Sequence, residues 1–216
     1  MTAVNIVGSA KHNTIVMVTD AASYDDAGFV RRIASKVRPI PEWSAAITGR
    51  GNTFGIETAA HELLQRAGSF VELVSIVSRE LPLIVEQRAL TRPFELFMAG
   101  FFGGYPNTFY IRTEGGNDSL GGWPPHFVCP VGTIAIGPSS PDTRAVGPDT
   151  ADAPDVIVEK LGRVIRAQRR ILADDGYPRV GGFAELTIIT PGNVEQRVLH
   201  TWCEDRIGQR MSAEDS

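Results

Sequence analysis

The pattern of apolar and polar positions predicts a chain that begins with paired β-strands. Thr14–Asp20 is an apolar, β-branched run, which fits a strand buried on both faces, and it ends on an acid. Thr2–Gly8 alternates apolar and polar residues and predicts the partner strand, with Ser9–Asn13 as the turn. A hairpin is predicted in Ser35–Gly49, with Lys36 at its start and a glycine turn into a helix at its end.

Two helices are predicted after this hairpin, because apolar residues recur at helical spacing behind capping residues. The first is capped by Asn52 or the next residue and ends at Gly68. The second is capped by Ser69, and Glu72 three residues later completes a capping box. Pro82 lies inside the second helix and is expected to kink or interrupt it.

The second half of the chain predicts two more hairpins and one more helix. Phe94–Phe102 and Thr108–Arg112 pair around a glycine-rich loop, and Phe183–Thr190 and Glu195–Trp202 form the last hairpin. Between them Pro154 fits the first turn of a helix. This order of strands and helices fits two antiparallel sheets between two helix layers, although other α+β sandwiches share it.

Two segments are predicted to lie outside the packed core. The charged segment Tyr24–Arg32 is expected to be a surface connection, and the polar tail Glu204–Ser216 is expected to be loose. No repeat or linker divides the rest, so the sequence predicts one domain over residues 1–203 followed by a tail over residues 204–216.

The composition of the 216 residues is that of a globular protein, with 43% hydrophobic and 21% charged residues. A net charge of −4 gives no basic footprint for nucleic acid. Neither a secretory signal nor an apolar run of about 18 residues is present, so no membrane partner is expected. Cys129 and Cys203 lie too far apart for a metal framework and suggest a reducing compartment. The prediction is a cytoplasmic protein without metal or cofactor.

One pair of residues carries candidate chemistry. Lys36 follows Asp20 by 16 residues, and the two are predicted at the ends of neighbouring strands. A lysine and an acid placed in this way can meet inside a cleft, where the pair can tune the proton affinity of a third group.

In this order, the blocks of sequence resemble the β-type subunits of the proteasome, in the N-terminal-nucleophile (Ntn) hydrolase superfamily. The resemblance covers about residues 2–200, and its specificity lies in the Asp20–Lys36 spacing and the order of the blocks. It implies the α+β fold of that superfamily, a four-layer α/β/β/α sandwich of two antiparallel sheets. The blocks are Thr14–Ser23, Lys36-Val37, Ala45–Gly49, Phe97–Gly100, Phe109–Gly115, Thr133–Gly137 and Gly181–Ile189.

The resemblance also implies a mechanism. In that family the mature chain begins with threonine, whose hydroxyl attacks an amide carbonyl while its own α-amine, with a pKa of about 8, takes the proton. Carried over to this sequence, Thr2 is the nucleophile after removal of Met1, and Lys36 keeps the amine neutral. Asp20 is the acid that partners Lys36, and the Gly49 N–H is the oxyanion donor.

The start of the chain departs from the family pattern. The interval from Thr2 to Asp20 is two residues longer, which an extended Ser9–Asn13 turn accommodates without changing side-chain parity. Alternatively, matching the apolar alternation of the first strand to that of the family places Met1 at the nucleophile position.

Two supporting motifs also differ. The family has a Gly-Ser-Gly turn whose serine supports the threonine amine, and here only Ser139, shifted by one residue, stands in that place. The family motif Asp-x-x-Ser-Gly-Gly reads Tyr177–Gly182 here, without either polar partner, so Asp174 or Asp175 would have to act by a different path.

Three functions stay open at this point. The leading hypothesis is a proteasome-like peptide or amide hydrolase that forms a homo-oligomer, a ring being the family's usual assembly. The retained Asp20–Lys36 pair favours this reading. The alternative is a catalytically inactive homologue that acts as a binding or assembly subunit, which the missing partners favour. A third, weaker hypothesis is a small-molecule amidase on the same scaffold.

The third predicted helix carries a group of arginine side chains. A basic face on the third helix is predicted to be solvated, with a subunit contact or phosphate binding as alternatives. It consists of Arg163, Arg166, Arg169 and Arg170.

Overall fold

The computed structural model describes residues 3–115, 119–138 and 147–211. They form two compact units. Unit 1 consists of the described parts of Met1–Lys36, Thr133–Ile188 and Glu195–Ser216, and unit 2 of those of Val37–Gly132 and Ile189–Val194.

Within the described residues, six strands precede two helices, four strands follow them, and a third helix precedes the last two strands. The helices are α1 (Thr53–Arg66), α2 (Phe70–Gln87) and α3 (Pro154–Arg170). The strands are β1 (Val4–Ser9), β2 (Thr14–Asp20), β3 (Ala22–Tyr24), β4 (Val30–Ile33), β5 (Arg38–Ile40), β6 (Ala45–Gly51), β7 (Phe94–Phe102), β8 (Tyr105–Arg112), β9 (Cys129–Val131), β10 (Ile134–Ile136), β11 (Phe183–Thr190) and β12 (Asn193–Thr201).

Unit 1 is built on a five-stranded sheet in the order β10-β1-β2-β11-β12. β1 pairs antiparallel with β2, with Val4 opposite Thr19 and Ser9 opposite Thr14, as the sequence pattern predicts. Strand β2 is buried along its whole length. Apolar residues of α3 cover one face of the sheet, and the contact consists of Val7, Val16, Val18, Ala184 and Leu186 with Ile157, Leu161 and Ile165.

The segment expected to be a surface connection is instead a small hairpin, so that prediction is wrong. β3 and β4 pair antiparallel, with Ala22 opposite Ile33. Arg31 and Arg32 are exposed, but Val30 is buried and packs with Ala22 and Met211. The chain from Glu204 onward, expected to be loose, is therefore anchored by the buried Asp205 and Met211, with exposed residues between them, and residues 212–216 lie outside the described part.

Unit 2 is built on a second five-stranded sheet, in the order β5-β6-β7-β8-β9, in which all neighbours are antiparallel. Helices α1 and α2 pack on it through one apolar cluster. The sheet contributes Ile47, Leu96, Met98 and Ile111, and the helices contribute Ala59, Leu63, Leu73, Val77, Leu81 and Ile84.

Both helices begin at the predicted caps. The Asn52 side chain accepts from Gly55 N at 2.7 Å, and Ser69 Oγ accepts from Glu72 N at 3.2 Å. Helix α2 runs without a break past Pro82, so the expected interruption does not occur. Within the described residues, no helix is both long enough and apolar enough to span a membrane.

The β7–β8 connection is tighter than the glycine-rich loop of the sequence prediction. The strands pair up to Phe102 opposite Tyr105, which leaves a turn of only Gly103 and Gly104. Both glycines have positive φ, 60° and 83°, as a two-residue hairpin turn of this kind requires.

The Ser69 cap gives a direct test of helix α2. Replacing Ser69 by Ala removes the acceptor for Glu72 N, so we expect the free energy of unfolding to fall by about 1 kcal/mol in urea denaturation. Ser75→Ala is the matched control, because the Ser75 hydroxyl donates to Glu72 O within the helix rather than capping it. Equal losses in the two variants would contradict the capping role.

Candidate functional site

The candidate site is centred on the carboxylate of Asp20, which the buried strand β2 carries below the surface at its end. Its Oδ2 accepts from Lys36 Nζ at 3.0 Å and from Gly181 N at 3.3 Å. Its Oδ1 accepts from Ala3 N at 2.9 Å. One cation and two backbone N–H groups therefore hold a fully buried acid in place, and the structure brings Asp20 and Lys36 together as the sequence predicts.

Lys36 lies between β4 and β5, with its side chain only 10% exposed. Its Nζ donates to Ala22 O at 2.6 Å as well as to Asp20. Burial lowers the pKa of Lys36, because removal from water penalises the ammonium form, and the attraction of Asp20 opposes this shift. The proton affinity of the Lys36 amine therefore depends on the placement of Asp20.

The start of β1 is fixed on its other side by β10. The two strands pair antiparallel, with Val4 opposite Ile136. The next residue, Gly137, approaches so closely that a Cβ on it would lie 3.4 Å from Ala3 Cα and 2.8 Å from Gln168 Nε2. A side chain at this position would have to displace the Gln168 amide, which favours glycine, and the turn after β10 lies next to Ala3.

A reciprocal amide pair ties β1 to helix α3. Asn5 Nδ2 donates to Gln168 Oε1 at 2.9 Å, and Gln168 Nε2 donates to Asn5 Oδ1 at 3.2 Å. Both side chains are buried, so each must find partners inside the protein. This pair fixes the position of β1 along helix α3.

A second buried ion pair was not predicted from the sequence. Arg169, assigned to the solvated face of the third helix, is fully buried, and its Nη2 donates to Asp205 Oδ1 at 2.8 Å. That assignment is therefore wrong. The signal was in the helical spacing, because Arg169 continues the apolar stripe of Leu161 and Ile165 at intervals of four residues.

Of the other predicted site residues, Thr2 and Ser139 lie outside the described residues. Gly49 belongs to unit 2, whereas Asp20 and Lys36 belong to unit 1. Gly49 lies within β6 opposite Leu96, so the predicted turn at this glycine is wrong, and the strand continues to Gly51.

The close packing around Gly49 explains why it is glycine. A Cβ there would lie 2.6 Å from Glu95 O and 2.8 Å from the Ile56 side chain. The turn into α1 follows Gly51, whose φ is 105°.

Asp175, one of the two acids considered from the sequence as substitutes, can also be placed. Asp175 pairs with Arg179 at 2.6 Å, and this contact holds the pKa of Asp175 below its usual value. Across residues 3–115, 119–138 and 147–211, no group of three or more His, Cys, Asp or Glu side chains is arranged to bind a metal ion.

Comparison with known proteins identifies the fold. No protein-family model matches the chain, and no curated protein matches it in sequence. Among solved structures, it is similar to Anbu (ancestral beta-subunit) from Yersinia bercovieri, with a TM-score of 0.68 and 11% identity. The fold is proteasome-like. The similarity covers 93% of this chain and 87% of that one, which confirms the predicted α+β fold class.

Lys36 should be essential for stability because its removal leaves a buried acid without its cation. We expect Lys36→Met to lower the free energy of unfolding by about 3–5 kcal/mol at pH 7 in urea. Lys160→Met, which removes the cation beside the more exposed Asp152, is the matched control and should change little. Similar effects in both variants would contradict the dominance of the buried pair.

The lowered pKa of Lys36 also predicts a pH dependence. Above the folded-state pKa, the folded protein has released this proton while the unfolded chain keeps it up to about pH 10.4. The unfolded state then binds more protons, so stability contributed at this site should rise with pH in that window. Urea unfolding at several alkaline pH values should show this rise in the wild type and in Lys160→Met but not in Lys36→Met.

Proposed function

We propose that this chain is a proteasome-like Ntn amide or peptide hydrolase that uses Thr2 as nucleophile after removal of Met1. The main support is the Asp20 carboxylate, which binds Lys36 Nζ at 3.0 Å and Ala3 N at 2.9 Å. Consecutive Cα atoms are about 3.8 Å apart, so an α-amine at Thr2 would be near a buried ammonium.

The register of β1 favours Thr2 over Met1 as the nucleophile. The strand pairing begins with Val4 opposite Thr19, and the preceding residue, Ala3, donates through its backbone N–H to the Asp20 side chain. The nucleophile would then be the residue immediately before the one bound to the acid. Removal of Met1 is chemically reasonable, because the residue after it is small.

In the proposed reaction, Thr2 Oγ attacks the carbonyl carbon of an amide and its proton passes to the Thr2 α-amine. The Lys36 ammonium keeps that amine neutral by like-charge repulsion and stabilises the developing alkoxide, while Asp20 orients Lys36. Collapse of the tetrahedral intermediate transfers the proton to the leaving amine and leaves an ester on Thr2. Water then hydrolyses this ester, releasing the acid and restoring the hydroxyl.

One further residue has a proposed role in the same reaction. Ser139 is the proposed support for the α-amine, and the close approach of Gly137 to Ala3 favours this role, because Gly137 is only two residues away in sequence.

We further propose that the protein is cytoplasmic, forms one domain and assembles with further copies of itself. The similar structure is named as a subunit, which supports assembly. The substrate would be a peptide or another amide.

The second candidate is a non-catalytic homologue that acts as a binding or assembly subunit. The positions of the missing family partners, Tyr177 and Val180, have structural contacts instead. Val180 is fully buried in the apolar core of unit 1, and the Tyr177 ring lies under the Arg210 guanidinium at 4.6 Å. Neither residue offers the polar support that the family mechanism uses.

Intact mass followed by covalent labelling separates the two functions. We expect purified protein to lack Met1 and to react with an epoxyketone, which bridges a threonine hydroxyl and its α-amine. Thr2→Ala should abolish labelling, and Lys36→Met should slow it by about 100-fold or more. Thr53→Ala, at the start of α1, is the control and should label normally.

The outcomes of this experiment are exclusive. Retention of Met1 would rule out the Thr2 mechanism. A free Thr2 that fails to react, together with no hydrolysis of fluorogenic peptides, would support the non-catalytic subunit.

A further inference from the structure

The turn formed by Gly181 and Gly182 is bonded directly to the end of β2. Gly181 N donates to Asp20 Oδ2 at 3.3 Å, and Gly181 O accepts from Ala21 N at 3.1 Å and from Ala22 N at 2.9 Å. These three bonds fix the carboxylate of Asp20 and the two residues that follow it. The position of Asp20 therefore depends on the position of this turn.

The other side of the turn rests on the buried ion pair of Arg169 and Asp205. Gly182 N donates to Asp205 Oδ2 at 2.7 Å, and Arg169 Nη1 donates to Val180 O at 2.6 Å. The pair itself measures 2.8 Å, and both side chains are fully buried. The Arg169 guanidinium also lies 5.5 Å from the centre of the Trp202 ring.

The turn is enclosed so tightly that little movement is available to it. A Cβ on Gly181 would overlap the Asp205 carboxylate and lie 2.7 Å from Arg169 Nη1. Gly182 has a φ of 77°, and a Cβ there would lie 2.9 Å from the Ile33 side chain. Close-packed atoms transmit displacement, so a shift of the ion pair would reach Asp20 through the turn.

The charged groups around Lys36 can be traced through unit 1. Asp20 contacts it directly, and Glu185 accepts from the hydroxyl of Ser35, the preceding residue. Asp205 and Arg169 follow beyond the turn. Burial raises the pKa of Asp205, and its bonds from Gly182 N and Arg169 oppose that shift. The ion pair thus favours the charged form of Asp205, which accepts the hydrogen bond from Gly182 N.

We propose that Arg169 and Asp205 are positioning residues for the Asp20–Lys36 pair and act through the Gly181–Gly182 turn. Both lie behind the turn, on helix α3 and on the segment after β12, where Arg169 donates to Val180 O and Asp205 accepts from Gly182 N. Their effect on hydrolysis rests on the proposed function, but their effect on the proton affinity of Lys36 does not.

The small number of lysines makes this inference measurable without substrate. The chain has only Lys11, Lys36 and Lys160, so NMR of ¹³Cε-labelled lysine gives three titrating signals, and Lys36→Met assigns one of them. In the wild type, Lys36 should titrate below the ordinary lysine range, because its burial lowers the pKa. In Asp205→Ala, water should reach the loosened site and move the Lys36 midpoint up by about one pH unit, toward the ordinary lysine value.

A second variant and a control protect the test against simple unfolding. Arg169→Lys keeps the positive charge but loses the fork that binds Asp205 and Val180 O together, so it should also raise the Lys36 midpoint. Glu159→Ala, which removes the partner of Arg163 on the exposed side of α3, should leave it unchanged.

An unchanged Lys36 midpoint in folded Asp205→Ala or, if that variant does not fold, in Arg169→Lys would overturn the inference. In an active enzyme, the same variants should lower kcat by about tenfold with little change in KM, because the effect is on the reacting groups. A shifted midpoint in a protein without hydrolytic activity would support the positioning role and reject the proposed function instead.

Discussion

The contact between the Lys36 ammonium and the Asp20 carboxylate sets the main constraint on unit 1. Charges removed from water are stable only when their remaining hydrogen-bonding capacity is used. Here the Ala3 and Gly181 N–H groups donate hydrogen bonds to the Asp20 carboxylate, and Ala22 O accepts one from the Lys36 ammonium. Chain segments far apart in sequence must therefore meet at one point, which makes the pair a condition of the fold as well as a candidate centre of chemistry.

Several structural elements together stabilise this buried pair. The amide pair of Asn5 and Gln168 holds β1 on helix α3, and close glycine contact brings the turn after β10 beside it. The ion pair of Arg169 and Asp205 supports the opposite side. These contacts come from different elements, and the described residues contain neither a disulfide nor a group of side chains arranged to bind a metal ion.

The features predicted correctly from the sequence depend on short-range patterns. Strand β2 and the caps Asn52 and Ser69 can be recognised from local residues, because a continuous apolar, β-branched run and a capping residue are each defined by only a few positions. The Asp20–Lys36 contact was predicted from spacing, with the help of a family resemblance. Arg31 and Arg32 concealed the β3–β4 hairpin, since the outward side of a small strand pair carries the same charges as a surface loop.

The features that were missed depend on long-range partners. Arg169 and Asp205 are separated by 36 residues, and nothing near either residue indicates that the other will neutralise it. In the same way, the extension of β6 through Gly49 depends on its pairing with Leu96. Such contacts follow from the topology, which a local pattern does not contain.

The burial of Asp205 and Met211 near the carboxyl end has a practical consequence for how the protein is handled. A protease that clips after Trp202, or a gene shortened at that point, would remove the acid facing a guanidinium in the interior. Loss of the carboxyl-terminal segment would then also disturb the start of β1, through the Gly181–Gly182 turn and Asp20. A purification tag should therefore be added after Met211 and should not replace the residues between Trp202 and Met211.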